Sequence, residues 1–344
     1  MNPRLLRYVA RRLVLAVGTV WGVATLVFLL MKAIPGNQAA VAAGAGASPQ
    51  QVAEVSHRLG FDRPFWVQYW RYIDRLAHGN LGTSTFTYRP VASDLADLLP
   101  YTVELVVAAM LLNLVVGVPV GIYAAARESG RADGVIRVVA ILLGAVPLFW
   151  FGLLLQYFLA VKAPIFPVSG VLNAGVQVHK ITGFTTLDAL LSGNWSGFVD
   201  AVEHLFLPAL TLAIPFMAFV IRIVRAAMVT ALTADHVTVA HAKGVPNRRV
   251  LVRHALRNCL APIVNLLGLQ FGWMIGGAVL IESVFSRPGI GNYLTQAIQQ
   301  KDTFAALGVV VFTGAIIAVT NLVVDVIQLL ADVRVRVQQL GVAA

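Results

Sequence analysis

Residues Asp235 to Pro262 read DHVTVAHAKGVPNRRVLVRHALRNCLAP and form a basic stretch between two hydrophobic runs. From Arg222 to Arg257 there are seven Lys or Arg against one acid, Asp235. That bias marks a loop held on the cytoplasmic face of a membrane. Val237, Ala240 and Lys243 step round one helical face, Gly244 is placed to end that helix, and Pro246 to open a second one carrying Val250, Leu251, Ala255 and Leu256. The expectation is two short helices hinged at glycine.

The composition requires a bilayer. Hydrophobic residues make up 58% of the 344 and charged residues only 12%, about half the share of a soluble domain. The formal charge of +10 sits beside hydrophobic runs, which is accounted for by membrane orientation and anionic lipid, not by nucleic acid. A single cysteine, Cys259, excludes an internal disulfide and a four-cysteine metal site.

Six uncharged runs are long enough to span or nearly span: 13–31, 105–126, 138–161, 205–221, 259–281 and 303–324. The first follows Arg4, Arg7, Arg11 and Arg12, and its 19 uncharged residues exceed the roughly 7–15 of a signal peptide core. Six spans put both termini in the cytoplasm, and 16 of the 26 Lys and Arg then fall on that side, the last of them Arg334 and Arg336. The chain divides into a cytoplasmic start and first span (1–34), an external segment (35–104) and a core of five spans (105–344) whose cytoplasmic coupling loop is 222–258. In the external segment, Ser48, Pro49 and Gln51 predict a capped helix ending at Gly60, and Phe65, Trp66, Tyr69, Trp70, Ile73 and Leu76 an amphipathic helix suited to a headgroup layer or to the protein's own core. Pro119 and Pro147 predict kinks within spans.

Catalytic chemistry finds no support. None of the five lysines is followed by Ser or Thr, as a P-loop requires, and no His-Glu-x-x-His occurs. The seven histidines fall in loops or at span edges, where solvated or capping roles are expected. The polar residues within or beside spans are Asn113, Gln156, Gln270, Asn321, Glu282 and Asp325, with Glu104 nearby. They are pathway candidates, and equally candidates for interhelical hydrogen bonds and structural ion pairs.

The Asp235–Pro262 stretch resembles the cytoplasmic loop of ABC-importer permeases that docks a short helix into an ATPase subunit, with Ala240, Gly244 and Pro262 matching and Thr238-Val239-Ala240 standing where Glu-Ala-Ala is general. Ala242-Lys243-Gly244, Arg253 through Asn258 and the 18 positions from Gly244 to Pro262 are similar to the dipeptide, oligopeptide and nickel permeases. Arg11-Arg12-Leu13 through Ile34-Pro35-Gly36-Asn37, Leu59 through Pro64, Gly79 through Ser84 and Pro167 through Gly170 resemble the same family, closest to its dipeptide branch. So does Glu282 through Gly291, except that Arg287 stands where tryptophan is common.

The resemblance implies an all-α membrane subunit of six transmembrane helices with the type I importer permease fold and an external segment after the first. It implies ATPase coupling through Asp235, Ala240, Lys243, Gly244, Arg248 and Arg249. It also implies a prokaryotic cytoplasmic membrane, a homologous second permease subunit, two ATPase subunits or domains that bind the ATP and Mg, an external solute-binding protein and no cofactor in this chain. The substrate implied is a dipeptide or short oligopeptide. A nickel or metal-chelate permease is the alternative within the family, and its ion would want imidazole or thiolate ligands that the six runs lack but for Cys259. A secondary transporter driven by an ion gradient, with Glu282 or Asp325 as its ion site, is the alternative outside it.

Overall fold

Lipid offers no hydrogen bonds to the backbone, so long uncharged runs must satisfy their own amides, which a helix does. The computed structural model describes residues 3–33, 38–44 and 46–331, and among them all regular structure is helical apart from one bridge between Thr83 and Pro90. The Ile34–Asn37 motif and the basic end at Arg334 and Arg336 lie outside the described residues.

Helix α1 (Pro3–Ala33) is followed by α2 (Gln38–Ala43), α3 (Pro49–Leu59) and α4 (Phe65–Ala77). Next come α5 (Val91–Leu112), α6 (Val118–Ala126), α7 (Arg131–Ala145), α8 (Leu148–Gln156), α9 (Thr185–Leu191) and α10 (Trp195–Leu232). The last third holds α11 (Asp235–Ala242), α12 (Asn247–Arg249), α13 (Leu256–Val284), α14 (Ile290–Gln299) and α15 (Thr303–Ala331). Five stretches are long and apolar enough to cross a membrane, 7–33, 91–126, 195–232, 262–284 and 303–326. The pair α7 and α8 supplies a sixth if counted as one span.

The two prolines act differently. At Pro147 the third span does not kink as one helix but breaks by 100° between α7 and α8, because Val146 before the proline takes an extended backbone. At Pro119 the second span stays continuous. Its ladder widens into a π-helical stretch at Asn113–Gly117, where the Val118 amide reaches the Asn113 carbonyl and the turn before the proline is accommodated. Helix α5 begins at Val91, so the boundary placed between 104 and 105 falls inside a continuous helix.

Helix α10 is the axis, packed by α5, α6, α7 and α13. One core, with Leu105, Leu207, Leu212, Met274 and Phe285, fills the half of the bundle near the start of α5, and another, with Val220, Val224, Met228 and Cys259, fills the half near α11. Missing side chains set the approach of the helices: a Cβ on Gly121 would meet Val224 at 2.8 Å, and one on Gly268 would overlap Val324. Such small residues at crossings are how apolar helices pack where lipid is as apolar as leucine. In the 35–104 segment, the Ser48 and Gln51 capping box and the left-handed Gly60 form as expected. Helix α4 lays Tyr69 against Phe28 of α1 and leaves Trp66 and Trp70 exposed.

Candidate functional site

The basic loop is built round a small buried core. Val237 and Ala240 of α11 pack with Val250, and Leu232 and Val245 cover them. Helix α11 ends at Gly244 with φ +74°, a left-handed position that costs glycine nothing. The Val245 amide donates to the Ala240 carbonyl at 3.1 Å and the Lys243 amide to Val239 at 3.1 Å, closing the helix in a Schellman-type turn whose apolar contact is Val245. Pro246 caps the next segment instead of opening an independent helix. Helix α12, a π-helical stretch at Val250–Ala255 and α13 run on without a break, so the expected second short helix is the start of the fifth span. Helix α11 is thus joined to that span through Gly244 and the Val237–Val250 contact.

Asp235, Lys243, Gly244, Arg248 and Arg249 are exposed while Ala240 is buried. Val239 and Val252 are about half exposed. The loop end also carries a buried charge clamp: Arg225 of α10 donates to both carboxylate oxygens of Asp133 of α7, at 2.5 and 2.7 Å, with Arg137 3.6 Å from the same carboxylate.

At the opposite end of the bundle lies a second polar cluster. The Glu282 carboxylate accepts from the Thr102 hydroxyl at 2.6 Å and from the amides of Gly291 and Asn292 at 2.8 and 3.0 Å. It thus caps the positive end of α14 from the neighbouring helix. Gly289 has to be glycine, since a Cβ there would overlap that carboxylate. Arg287 is 1% exposed and donates through Nη2 to Glu104 Oε2 at 2.5 Å, while Glu104 Oε1 accepts from the Thr186 amide at 2.7 Å and hydroxyl at 2.6 Å. Burial pulls the Arg287 guanidinium below its ordinary value against the pull of Glu104. The residues 163–184 loop is held by Asp188. Burial alone would raise its carboxyl, but bonds from the Thr182 hydroxyl and the amides of Thr182, Gly183 and Ile181 hold it below the usual carboxylate value.

The six polar candidates are not brought together. Glu282 belongs to the cap, Asp325 of α15 pairs with Arg12 of α1 at 2.8 Å, and Gln156 donates to the Val168 carbonyl at 2.7 Å. Gln270 donates to the Phe216 carbonyl at 2.9 Å, and Asn321 is exposed. Both polar atoms of the Asn113 side chain are buried with no hydrogen-bond partner among the described residues. His204, expected in a solvated or capping role, instead lies inside α10, 5% exposed, with Nδ1 2.9 Å from the Asp200 carbonyl oxygen. The reason is that α10 begins at Trp195, capped by Asn194, well before the uncharged run, and Asp200 within it is satisfied by the amide and side chain of Asn173. Sequence reasoning does not bring Thr102 and Thr186 to the second cluster. The usable signal was Arg287 at a position where an aromatic is usual, since a buried cation needs an acid and Glu104 was at hand.

Comparison with known proteins agrees with this architecture. The family described as binding-protein-dependent transport system inner membrane component matches residues 117–337, and its N-terminal component matches residues 5–106. The di/tripeptide transport system permease protein DppB of Pseudomonas aeruginosa is 39% identical over 97% of this chain and 100% of its own. The dipeptide transport system permease protein DppB of Escherichia coli K12 is 35% identical over 96% of this chain and 99% of its own. The glutathione transport system permease protein GsiC of Salmonella paratyphi A is 32% identical over 94% and 96%. Among solved structures, a chain of the MetNI methionine ABC transporter in an inward-facing conformation shares the fold, with a TM-score of 0.52 at 13% identity over 67% of this chain and 93% of that one. An all-helical bundle of membrane-crossing length, matched by that family along most of its sequence, is an integral membrane protein belonging to the binding-protein-dependent transport system inner membrane components.

Proposed function

We propose that this chain is a membrane subunit of an ATP-driven importer of dipeptides or short oligopeptides. The observation that carries the reading is α11: a short helix with a buried inner face, an exposed basic rim and a rigid path through the Val250–Ala255 turn into the fifth span. That is what a transmission element needs, namely a surface for a partner and a mechanical connection to the pathway. The loop end faces the cytoplasm, as the 16 of 26 basic residues assigned to that side argue. The partners are then two ATPase subunits or domains, which bind the ATP and Mg and take Asp235, Lys243, Gly244, Arg248 and Arg249 as contacts, with Ala240 supporting them from beneath. A homologous second permease subunit completes the pathway, and a solute-binding protein delivers substrate from outside. The chain supplies no catalytic group.

The peptide substrate is supported by the relatives, whose names give di/tripeptide, dipeptide and glutathione as cargo. The structure gives the ion-driven alternative little to work with, because Glu282 is occupied by a cap and Asp325 by Arg12. The test is uptake of labelled dipeptide by the assembled complex in vesicles. Accumulation that needs internal-face ATP and no ion gradient is expected. Uptake that follows a proton or sodium gradient without ATP, or nickel accumulation that peptide does not compete, would overturn the reading.

A further inference from the structure

Between α1, α4 and α15 the structure holds a cleft of about 420 Å³ including its open mouth, lined by Met31, Tyr72, Arg75, Leu76, Leu307 and Val311 among others. Met31 is in the last turn of α1, and Leu307 and Val311 are in the first turns of α15. The cleft therefore lies where two spans leave the hydrocarbon, at headgroup depth. Helix α4 crosses the same level. On one side it is clamped to α1, with the Tyr69 hydroxyl 2.8 Å from Thr25 Oγ1 and Phe65 and Tyr69 each edge-on to Phe28 at 5.3 Å. On the other side Trp66 and Trp70 are 66% and 62% exposed, the placement that aromatics take at a membrane interface.

Among the described residues, Arg75 stands at this cleft without a counter-charge. Arg75 is half-buried, and the groups that act on it are Tyr72 and a second cation, Arg71, with no carboxylate among them. Asp74 on the same helix stands 3.6 Å from His78 instead. Burying part of a guanidinium beside hydrocarbon is costly unless an anion meets it. The ligand that fits joins an anionic oxygen group to a long apolar tail.

We infer that this cleft binds a membrane glycerophospholipid, its phosphate on Arg75 and one acyl chain lying along Leu76, Leu307 and Val311 between the first and sixth spans. Seated there, the lipid fills the seam between α1 and α15 and fastens α4 to the bundle. The inference rests on the membrane location of the spans and is independent of which solute is carried.

The experiment is native mass spectrometry of the assembled, delipidated complex titrated with phosphatidylglycerol or with diacylglycerol of the same chains. Wild type should bind phosphatidylglycerol about ten-fold more tightly than diacylglycerol, the ratio expected for one charge-assisted contact. Arg75→Gln should abolish that preference, Arg75→Lys should keep most of it, and Leu307→Trp, which fills the cleft, should lose both ligands. Equal binding of the two lipids by wild type would overturn the assignment without any variant having to fold. Unchanged phosphatidylglycerol binding in Arg75→Gln or in Leu307→Trp would overturn it as well.

Discussion

At the end of the bundle that carries α11, Asp235, Lys243, Arg248 and Arg249 stand exposed, whereas at the opposite end Glu104, Glu282 and Arg287 are buried and tied to one another's helices. Both regions are polar segments at the ends of the same fifth span. An exposed charge keeps its hydration, contributes little to the fold and remains available to a partner. A buried charge has lost its water, so its bonds hold helices together and its removal leaves an opposite charge stranded. The loop end is therefore a surface that can change without unfolding the protein. The opposite end is a corner held by bonds between helices.

The largest effect should come from halving the buried pair. Arg287→Met leaves Glu104 buried and uncompensated and should cost about 3–5 kcal/mol, read as a drop in the thermal unfolding temperature of the purified complex. Adding Glu104→Gln should restore most of the loss. If the single substitution is as stable as wild type, the corner is not a structural lock and the contrast fails.

Next in size is Glu282→Gln, which keeps the shape but removes the charge from the amides of Gly291 and Asn292. A loss of about 1–2 kcal/mol is expected for the cap and its charge-assisted bonds, together with faster hydrogen exchange at the start of α14. Slow exchange there in the variant would show that Thr102 and the packing of Ile290 suffice.

On the loop side, Gly244→Val forces a branched residue into a left-handed position, at about 1–2 kcal/mol, and nothing lies within 4 Å of an added Cβ. The protein should stay folded in the membrane while ATP-driven uptake falls about ten-fold or more, and Gly244→Asn, which tolerates that backbone, should keep most of the uptake. Full uptake by the valine variant would mean that α11 does not transmit motion.

A smaller effect is expected on the acid limb. The Asp188 carboxyl is held below its ordinary value, so folding favours its ionised form. That contribution is complete above the unfolded value, about 3.9, and is lost as pH falls through the lowered folded value. Asp188→Asn should remove this part of the pH dependence, seen as protease access to residues 163–184 that no longer increases on acidification. The smallest change is Asp325→Asn. Its pair with Arg12 is partly exposed and worth about 0–1 kcal/mol, so both stability and uptake should be near wild type. Abolished uptake would instead give Asp325 a place in the pathway.

The contrast between the two ends also separates what was readable from what was not. The basic loop lies within one continuous stretch of sequence, and its helix, its stop at Gly244 and its apolar face follow from local backbone preference and periodicity. The five long helices and the bent pair α7 and α8 follow likewise from runs of uncharged residues, since any such run in lipid must bond its own backbone. Periodicity could not show that the helix after Pro246 merges with the fifth span, because a π-helical turn leaves no local pattern. It could not show the break at Pro147 either, since prolines sit in both the second and third spans and packing decides which one bends. The polar corner was the least legible of all. Thr102, Glu104, Thr186, Glu282 and Arg287 come from separate parts of the chain, and an acid near a span reads alike whether it lines a pathway or caps a helix. By itself the sequence determined the membrane setting, the helical runs and the exposed basic loop, all properties of neighbouring residues. Only the tertiary structure decided the partner of each buried charge, because desolvation makes that choice energetic and the packing of distant helices makes it geometric.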